Sequence, residues 1–179
     1  MKRLAFIIAT PLTLCALWFA AAVGAEDGDP TPLSKPTPCN YQTLFLNENY
    51  GGSNQNDCVT GGSGQNAIGL YGGTDWADGR GGSDSIYGGD QQDVIYGGKE
   101  GDHLEGEGGN DFLRAGCPGG CDQSNPAHFG EMLGGSGNDT LAACNNVKDV
   151  LKGGAGDFDT AYVDPSKDDW SGFEKVIGC

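Results

Sequence analysis

From Val59 to Leu113 one apolar residue recurs at every ninth position: Val59, Ile68, Ala77, Ile86, Ile95, Leu104 and Leu113. Two places before each stands a carboxylate or its amide: Asp57, Asn66, Asp75, Asp84, Asp93, Asp102 and Asp111. Glycines crowd the intervals, among them Gly79, Gly81, Gly88, Gly97, Gly106 and Gly108. A period of nine matches neither the roughly 3.6 of a helix nor the period of about 2 of a long strand. Each glycine would also cost a helix about 1 kcal/mol relative to alanine. The unit therefore predicts a glycine-rich turn, an acid, and a three-residue strand with one apolar centre. Seven such units run in register from 52 to 114. A fixed period over that length means a stack of like units and takes precedence over any other fold reading.

The stretch "CPGGCDQSNPAHF" interrupts the series, defining an insertion over 115–133. The pattern resumes in "GGSGNDTLA", where Gly134, Gly135, Gly137, Asp139 and Leu141 hold the key places. Asp149 and Leu151 follow one residue late, and the register blurs between Asp157 and Asp159. Gly130 stands where an acid is needed before Met132, so that turn is expected to bind nothing. Upstream, "CNYQTLFLNENY" alternates like a strand around Leu44 and Leu46 and predicts an amino-terminal cap over 39–51. Residues 26–38 form a proline-rich linker. Residues 162–179 lack the pattern and predict a closing cap, with Trp170, Phe173, Val176 and Ile177 available to cover the last coil.

The ends and the charge narrow the setting. Lys2 and Arg3 precede the apolar run "LAFIIATPLTLCALWFAAAVGA", which ends in small residues; this pattern predicts a secretory signal peptide over 1–25, cleaved before Glu26. The formal charge is −15. It becomes −17 once Lys2 and Arg3 leave with the leader, eight basic residues then facing 25 acidic ones. Such a surface repels nucleic acid and anionic membrane, and its natural partner is a cation. Six cysteines remain in the mature chain, and an even count in an exported protein predicts disulfides, with about fifteen pairings open. Neighbours along the chain suggest Cys39–Cys58, Cys117–Cys121 and Cys144–Cys179. Zinc at Cys117, Cys121 and His128 is the less favoured reading, because export favours the bridge.

The stretches "GGSGNDTLA", "GEGGNDFLR" and "GRGGSDSIY" resemble the G-G-x-G-x-D-x-U-x nonapeptide of the haemolysin-type calcium-binding, or repeats-in-toxin (RTX), family. The resemblance implies an all-β fold, a right-handed parallel β-roll occupying 52–161 between the two caps. It also implies calcium between stacked turns, held by the aspartates and by backbone carbonyls. The metal ligands it points to are Asp57, Asn66, Asp75, Asp84, Asp93, Asp102, Asp111, Asp139 and Asp149, with Gly79, Gly81, Gly88, Gly97, Gly106, Gly108, Gly134, Gly135 and Gly137.

Elementary electrostatics points the same way. If two nonapeptides make one coil, side chains 18 residues apart lie one strand spacing apart, about 4.8 Å. Asp75 then faces Asp93, and Asp93 faces Asp111; Asn66 faces Asp84, and Asp84 faces Asp102. Two carboxylates at that distance repel by about 3 kcal/mol at an effective dielectric near 20. A hard divalent cation reverses the sign of that interaction, and oxygen-only ligation selects calcium. The expectation is an exported calcium-binding protein that folds on binding the ion. No nucleophile, base and orienting group stand together, so an enzyme is not expected; a hydrolase would need a site in the insertion around His128. The alternative is a calcium-rigidified adhesin or matrix module with a cell-surface or polysaccharide partner. Tyr87 and Tyr96 are expected outward on opposite sheets, and His103 outward and solvated.

Overall fold

In a computed structural model, residue 30, residues 34–117 and residues 130–179 are described. The leader expected over 1–25, and the insertion residues Cys121 and His128, lie outside the described residues. Each nonapeptide closes in a short strand, and the turn that follows carries the chain to the opposite sheet. One sheet takes β1 (Asn40–Thr43), β3 (Asp57–Thr60), β5 (Trp76–Asp78), β7 (Val94–Tyr96), β9 (Phe112–Arg114), β11 (Thr140–Ala142), β13 (Thr160–Val163) and β15 (Lys175–Gly178), stacked in that order. The other takes β2 (Asn49–Ser53), β4 (Ala67–Tyr71), β6 (Ser85–Asp90), β8 (His103–Gly108), β10 (Glu131–Ser136), β12 (Val150–Ala155) and β14 (Asp169–Ser171). Every pairing is parallel. The chain is thus a parallel β-solenoid of about seven turns, consistent with the β-roll.

Register follows the nonapeptide. Ile68 pairs with Ile86 and Ile86 with Leu104 in one sheet; Ala77 pairs with Ile95 and Ile95 with Leu113 in the other. The stack passes the insertion without a break, since Leu104 pairs with Met132 and Leu113 with Leu141. These apolar centres face each other across the interior and are fully buried. The core is thicker than one side chain per repeat, because Leu44, Leu70, Ala115, Ala143 and Val163 enter it from the first position of their turns. Each large buried side chain of this kind contributes about 2 kcal/mol.

Both ends differ from the sequence expectation. The stretch 39–50 is no single strand: β1 and β2 are joined by a turn, Leu44 is buried, and Leu46 is exposed. Two polar edges with a break between them already make a coil, which a continuous alternating strand would not. At the other end β14 and β15 extend both sheets in register, with Trp170 beside Leu151 and Val176 beside Ala161. Of the four apolar residues expected to cover the last coil, Phe173 packs on the core, while Trp170 and Val176 stay exposed at 37% and 42%. Disulfides Cys39–Cys58 and Cys144–Cys179 clamp the two ends. Cys117 is disulfide-bonded as well.

Tyr96 is another correction. It points away from the interior, yet is buried on the outer face of the larger sheet with Cys58, Trp76, Val94 and Phe112. Its ring lies 5.9 Å from that of Trp76 and 6.1 Å from that of Phe112. Lys35 places its ammonium 3.5 Å from the centre of the Trp76 ring, so the segment before β1 crosses this face. Tyr87 lies on the other sheet, as expected, with its ring 5.9 Å from that of His103. His103 is not free in solvent: Nε2 lies 2.7 Å from Glu105 and Nδ1 3.4 Å from Glu131.

Candidate metal centre

The turns on each side of the roll stack their acids into a ladder. Along one edge the backbone N–H of Asp57 donates to Asp75 Oδ1, that of Asp75 to Asp93, that of Asp93 to Asp111 and that of Asp111 to Asp139, at 2.7 to 2.9 Å. The ladder goes on from Asp139 to Asp159 and from Asp159 to Glu174. Along the other edge Asn66 donates to Asp84 and Asp84 to Asp102. There Gly130 takes the next place and donates to Asp149, which donates to Asp168. One oxygen of each stacked carboxylate is therefore held by the preceding coil.

The second oxygen is the telling one. Oδ2 of Asp75, Asp84, Asp93, Asp102, Asp111 and Asp139 is buried and has no hydrogen-bond partner. An unpaired buried charge is among the most destabilising things a fold can contain, and such groups pair, bind a metal or take up a proton. Burial accordingly pushes Asp93 and Asp102 up to about 8, Asp84 and Asp111 to about 7, and Asp75, Asp139 and Asp149 to about 6. In each, an accepted backbone N–H pulls the other way and nearby carboxylates add to the rise.

Glycine at the first turn position keeps the space beside that oxygen free of carbon. A Cβ on Gly88 would sit 2.5 Å from Asp93 Oδ2 and 2.8 Å from the carbonyl oxygen of Gly106 in the next coil. Gly79, Gly106 and Gly134 repeat the arrangement with Asp84, Asp111 and Asp139, each with the carbonyl of a glycine one coil on. Gly97 stands in the same way against Asp102. The spaces at Gly79, Gly88, Gly106 and Gly134 are thus bounded by a carboxylate oxygen and a carbonyl oxygen, the donors a hard cation takes, with contacts of about 2.3–2.6 Å for calcium. Among the described residues no three His, Cys, Asp or Glu side chains converge on one point. Carbonyls must therefore complete any ligand set, and the donor chemistry fits calcium rather than zinc.

The remaining expected ligands divide. Gly135 and Gly137 shape their turn with φ of 114° and 128°, whereas Gly81 and Gly108 have room for a side chain. At Asp75 the first turn position is Leu70, whose buried side chain belongs to the core. Asp57 needs no ion: its Oδ2 accepts from the Ser53 N–H and hydroxyl and its Oδ1 from the Tyr50 hydroxyl. Asn66 satisfies its own level, its amide Nδ2 donating to the carbonyls of Phe45 and Glu48 at 3.2 and 2.7 Å. Asp149 Oδ2 accepts from Asn145 Nδ2 at 2.8 Å. Three residues of the ladders escaped the sequence reading, Asn145, Asp168 and Glu174, while the register left blurred between Asp157 and Asp159 is settled on Asp159. For Asp168 and Glu174 a signal existed, since they stand two residues before Trp170 and Val176, although the glycine-rich turn has gone.

Comparison with known proteins agrees with this geometry. The family pattern described as the RTX calcium-binding nonapeptide repeat matches four copies, over residues 71–104, 92–116 and 132–143. Neither the curated proteins nor the solved structures yield a match. Five of the six carboxylates with an orphaned oxygen, from Asp75 to Asp111, and the sixth, Asp139, all fall within the matched residues. The turns and strands over 71–116 and 132–143 thus match the RTX calcium-binding nonapeptide repeat in four copies.

Proposed function

We propose that this chain is a secreted calcium-binding protein whose roll folds when calcium enters the turns. Asp84, Asp93, Asp102, Asp111 and Asp139 are the principal carboxylate ligands. Carbonyls of turn residues including Gly79, Gly81, Gly88, Gly97, Gly106, Gly108, Gly134, Gly135 and Gly137 complete the sets. Asp75 is a ligand of lower rank because Leu70 narrows its turn. Asp57, Asn66 and Asp149 close the ladders through hydrogen bonds instead. Bound calcium supplies the positive charge that stacked carboxylates lack. The protein's own part is to hold one oxygen of each acid by a backbone N–H and to keep carbon out of the space beside the other.

The observation carrying this reading is the row of six buried carboxylate oxygens without a partner. The leader expected over 1–25 and the disulfides support export, where calcium is abundant and the cytoplasm's low calcium no longer keeps the roll open. Circular dichroism during calcium titration of the chain tests it: strand signal should rise cooperatively with calcium. Undiminished strand signal in excess chelator would sink coupled folding, and absence of calcium uptake by calorimetry would sink the whole reading.

A second reading gives the roll a cell-surface or polysaccharide partner. It rests on Tyr41, Phe45 and Leu46 at the amino-terminal coil, which are 65%, 72% and 62% exposed. Calcium-dependent retention on cells that survives Phe45→Ala with Leu46→Ala would count against that surface.

A further inference from the structure

The outer face of the larger sheet carries two files of side chains. Trp76, Val94 and Phe112 pair along one file, and Asp78, Tyr96 and Arg114 along the other. Side chains that point out of a roll ordinarily meet water, as Tyr87 does on the other sheet at 36% exposure. Trp76, Val94 and Phe112 are instead 5%, 3% and 5% exposed. An apolar row of this kind on an outer face calls for an occupant.

The described residues before β1 descend this face in order. Pro30 lines a cavity with Phe112, Thr140 and Tyr162. Lys35 holds its ammonium 3.5 Å from the centre of the Trp76 ring and borders a second cavity with Trp76 and Asp78. Pro38 lines a third with Gln55 and Asn56, and Cys39 is bonded to Cys58. The contacts thus pass from β11 and β9 to β5 and then to β3. Thr140 and Trp76 stand three strand spacings apart, about 14 Å at about 4.8 Å each. Five residues, the count from Pro30 to Lys35, span about 15 Å as polyproline II but only about 7.5 Å as a helix. Composition agrees with the extended form: 30–38 reads "PTPLSKPTP" and holds four of the chain's eight prolines.

We propose that this face is a docking groove for an extended, proline-rich peptide bearing a basic residue, and that residues 30–38 are its resident, displaceable occupant. Proline-rich segments suit aromatic grooves because they are extended beforehand and lose little freedom on docking. Here Pro30 stands by Phe112 and Tyr162, while Lys35 stacks its cation on the indole of Trp76 and attracts the Asp78 carboxylate. Successive coils each supply one part of the wall, so the groove exists only once the coils are stacked. Tied down by Cys39–Cys58, the arm acts at an effective concentration near millimolar, and a proline-rich segment from another molecule enters only by displacing it. This goes beyond the calcium reading and does not rest on it.

Acrylamide quenching of Trp76 tests the groove in the full chain with Trp18→Phe and Trp170→Phe, which leaves one indole. Pro30→Gly, Lys35→Glu and Pro36→Gly together release the arm, because glycine loosens the extended run and a like charge then meets Asp78. The released chain should keep its strand signal in circular dichroism, while Trp76 emission shifts to the red and quenching rises. A synthetic peptide of residues 29–38 should restore the protection of Trp76 in the released chain and bind the parent chain at least about tenfold more weakly. The same peptide with its four prolines replaced by glycine should restore nothing. A released chain whose Trp76 stays protected overturns the arm as occupant. Protection that the peptide does not restore, or that the glycine peptide restores equally, overturns the groove. Should the triple variant lose strand signal, Lys35→Glu alone, at an exposed side chain, gives the same reading. A parent chain that takes up no calcium overturns the proposed function and leaves this result standing, because quenching is read wherever the strand signal is full.

Discussion

Two glycine-to-alanine changes, Gly88→Ala and Gly108→Ala, should have opposite consequences. The new carbon at 88 would lie 2.5 Å from Asp93 Oδ2 and 2.8 Å from the Gly106 carbonyl oxygen, closer than real side chains sit. Neither oxygen gives way easily. One belongs to the backbone of the next coil; the other belongs to a carboxylate whose Oδ1 is pinned by the Asp75 N–H at 2.8 Å. Swinging that carboxylate aside gives up a charged hydrogen bond, about 1.5 kcal/mol or more. Losing one ion at calcium about tenfold above its dissociation constant removes about 1.4 kcal/mol more. The total is near 3 kcal/mol in calcium, and only the first part remains in chelator. At 108 the nearest atom to an added Cβ is Ser136 Oγ at 3.5 Å, and the carbonyl is retained. There the unfolded chain loses freedom while the fold loses nothing, a gain of about 0.4–1 kcal/mol. Urea unfolding with and without calcium, beside calorimetric stoichiometry, reads both effects. A Gly88→Ala chain with the full complement of ions, or a Gly108→Ala chain missing one, would refute the placement of the sites.

Other consequences can be measured independently. Burial raises Asp84, Asp93, Asp102 and Asp111 to about 7–8 in the metal-free fold, against about 3.9 for an unfolded chain. Their contribution is thus full below about pH 4 and lost as pH rises through 7–8, so in chelator the roll should unfold more readily at pH 8 than at pH 5. Calcium reverses the slope because it needs the ionised acids; denaturant midpoints that do not change sign with calcium would contradict this. Asn66→Asp restores the repeat consensus yet removes the donor to Phe45 and Glu48, so it should destabilise the chelated chain by about 1–3 kcal/mol. Equal midpoints for the two chains would show that the amide does not close that ladder. Tyr96→Ala should cost about 3 kcal/mol or more with calcium stoichiometry unchanged; a loss below about 1 kcal/mol by thermal unfolding would mean the outer aromatic row is not a second core.

Much of the site could be read from residue order alone because the nonapeptide is its own coordinate system. Asp75, Asp93 and Asp111 had to share an edge once two repeats made a coil, and their ladder follows. Where glycines vanish, that system fails. Asp168 and Glu174 continue the ladders through turns with little of the repeat left, because a hydrogen bond from the preceding coil constrains position and not composition. Tyr96 was misjudged for a related reason. Period two says which way a side chain points, but not that Trp76, Phe112 and the segment carrying Lys35 meet over that face.

The order of residues by itself determined the stack, the interior row of apolar centres and the edges on which the acids stand. Those depend on periodicity, which is local and repeats. Only the tertiary structure decided which acids are left with an unpaired oxygen and which are satisfied by Ser53, Asn145 or an amide of their own. Such differences depend on which atoms from distant coils come within bonding distance, and that is settled only once the coils are stacked.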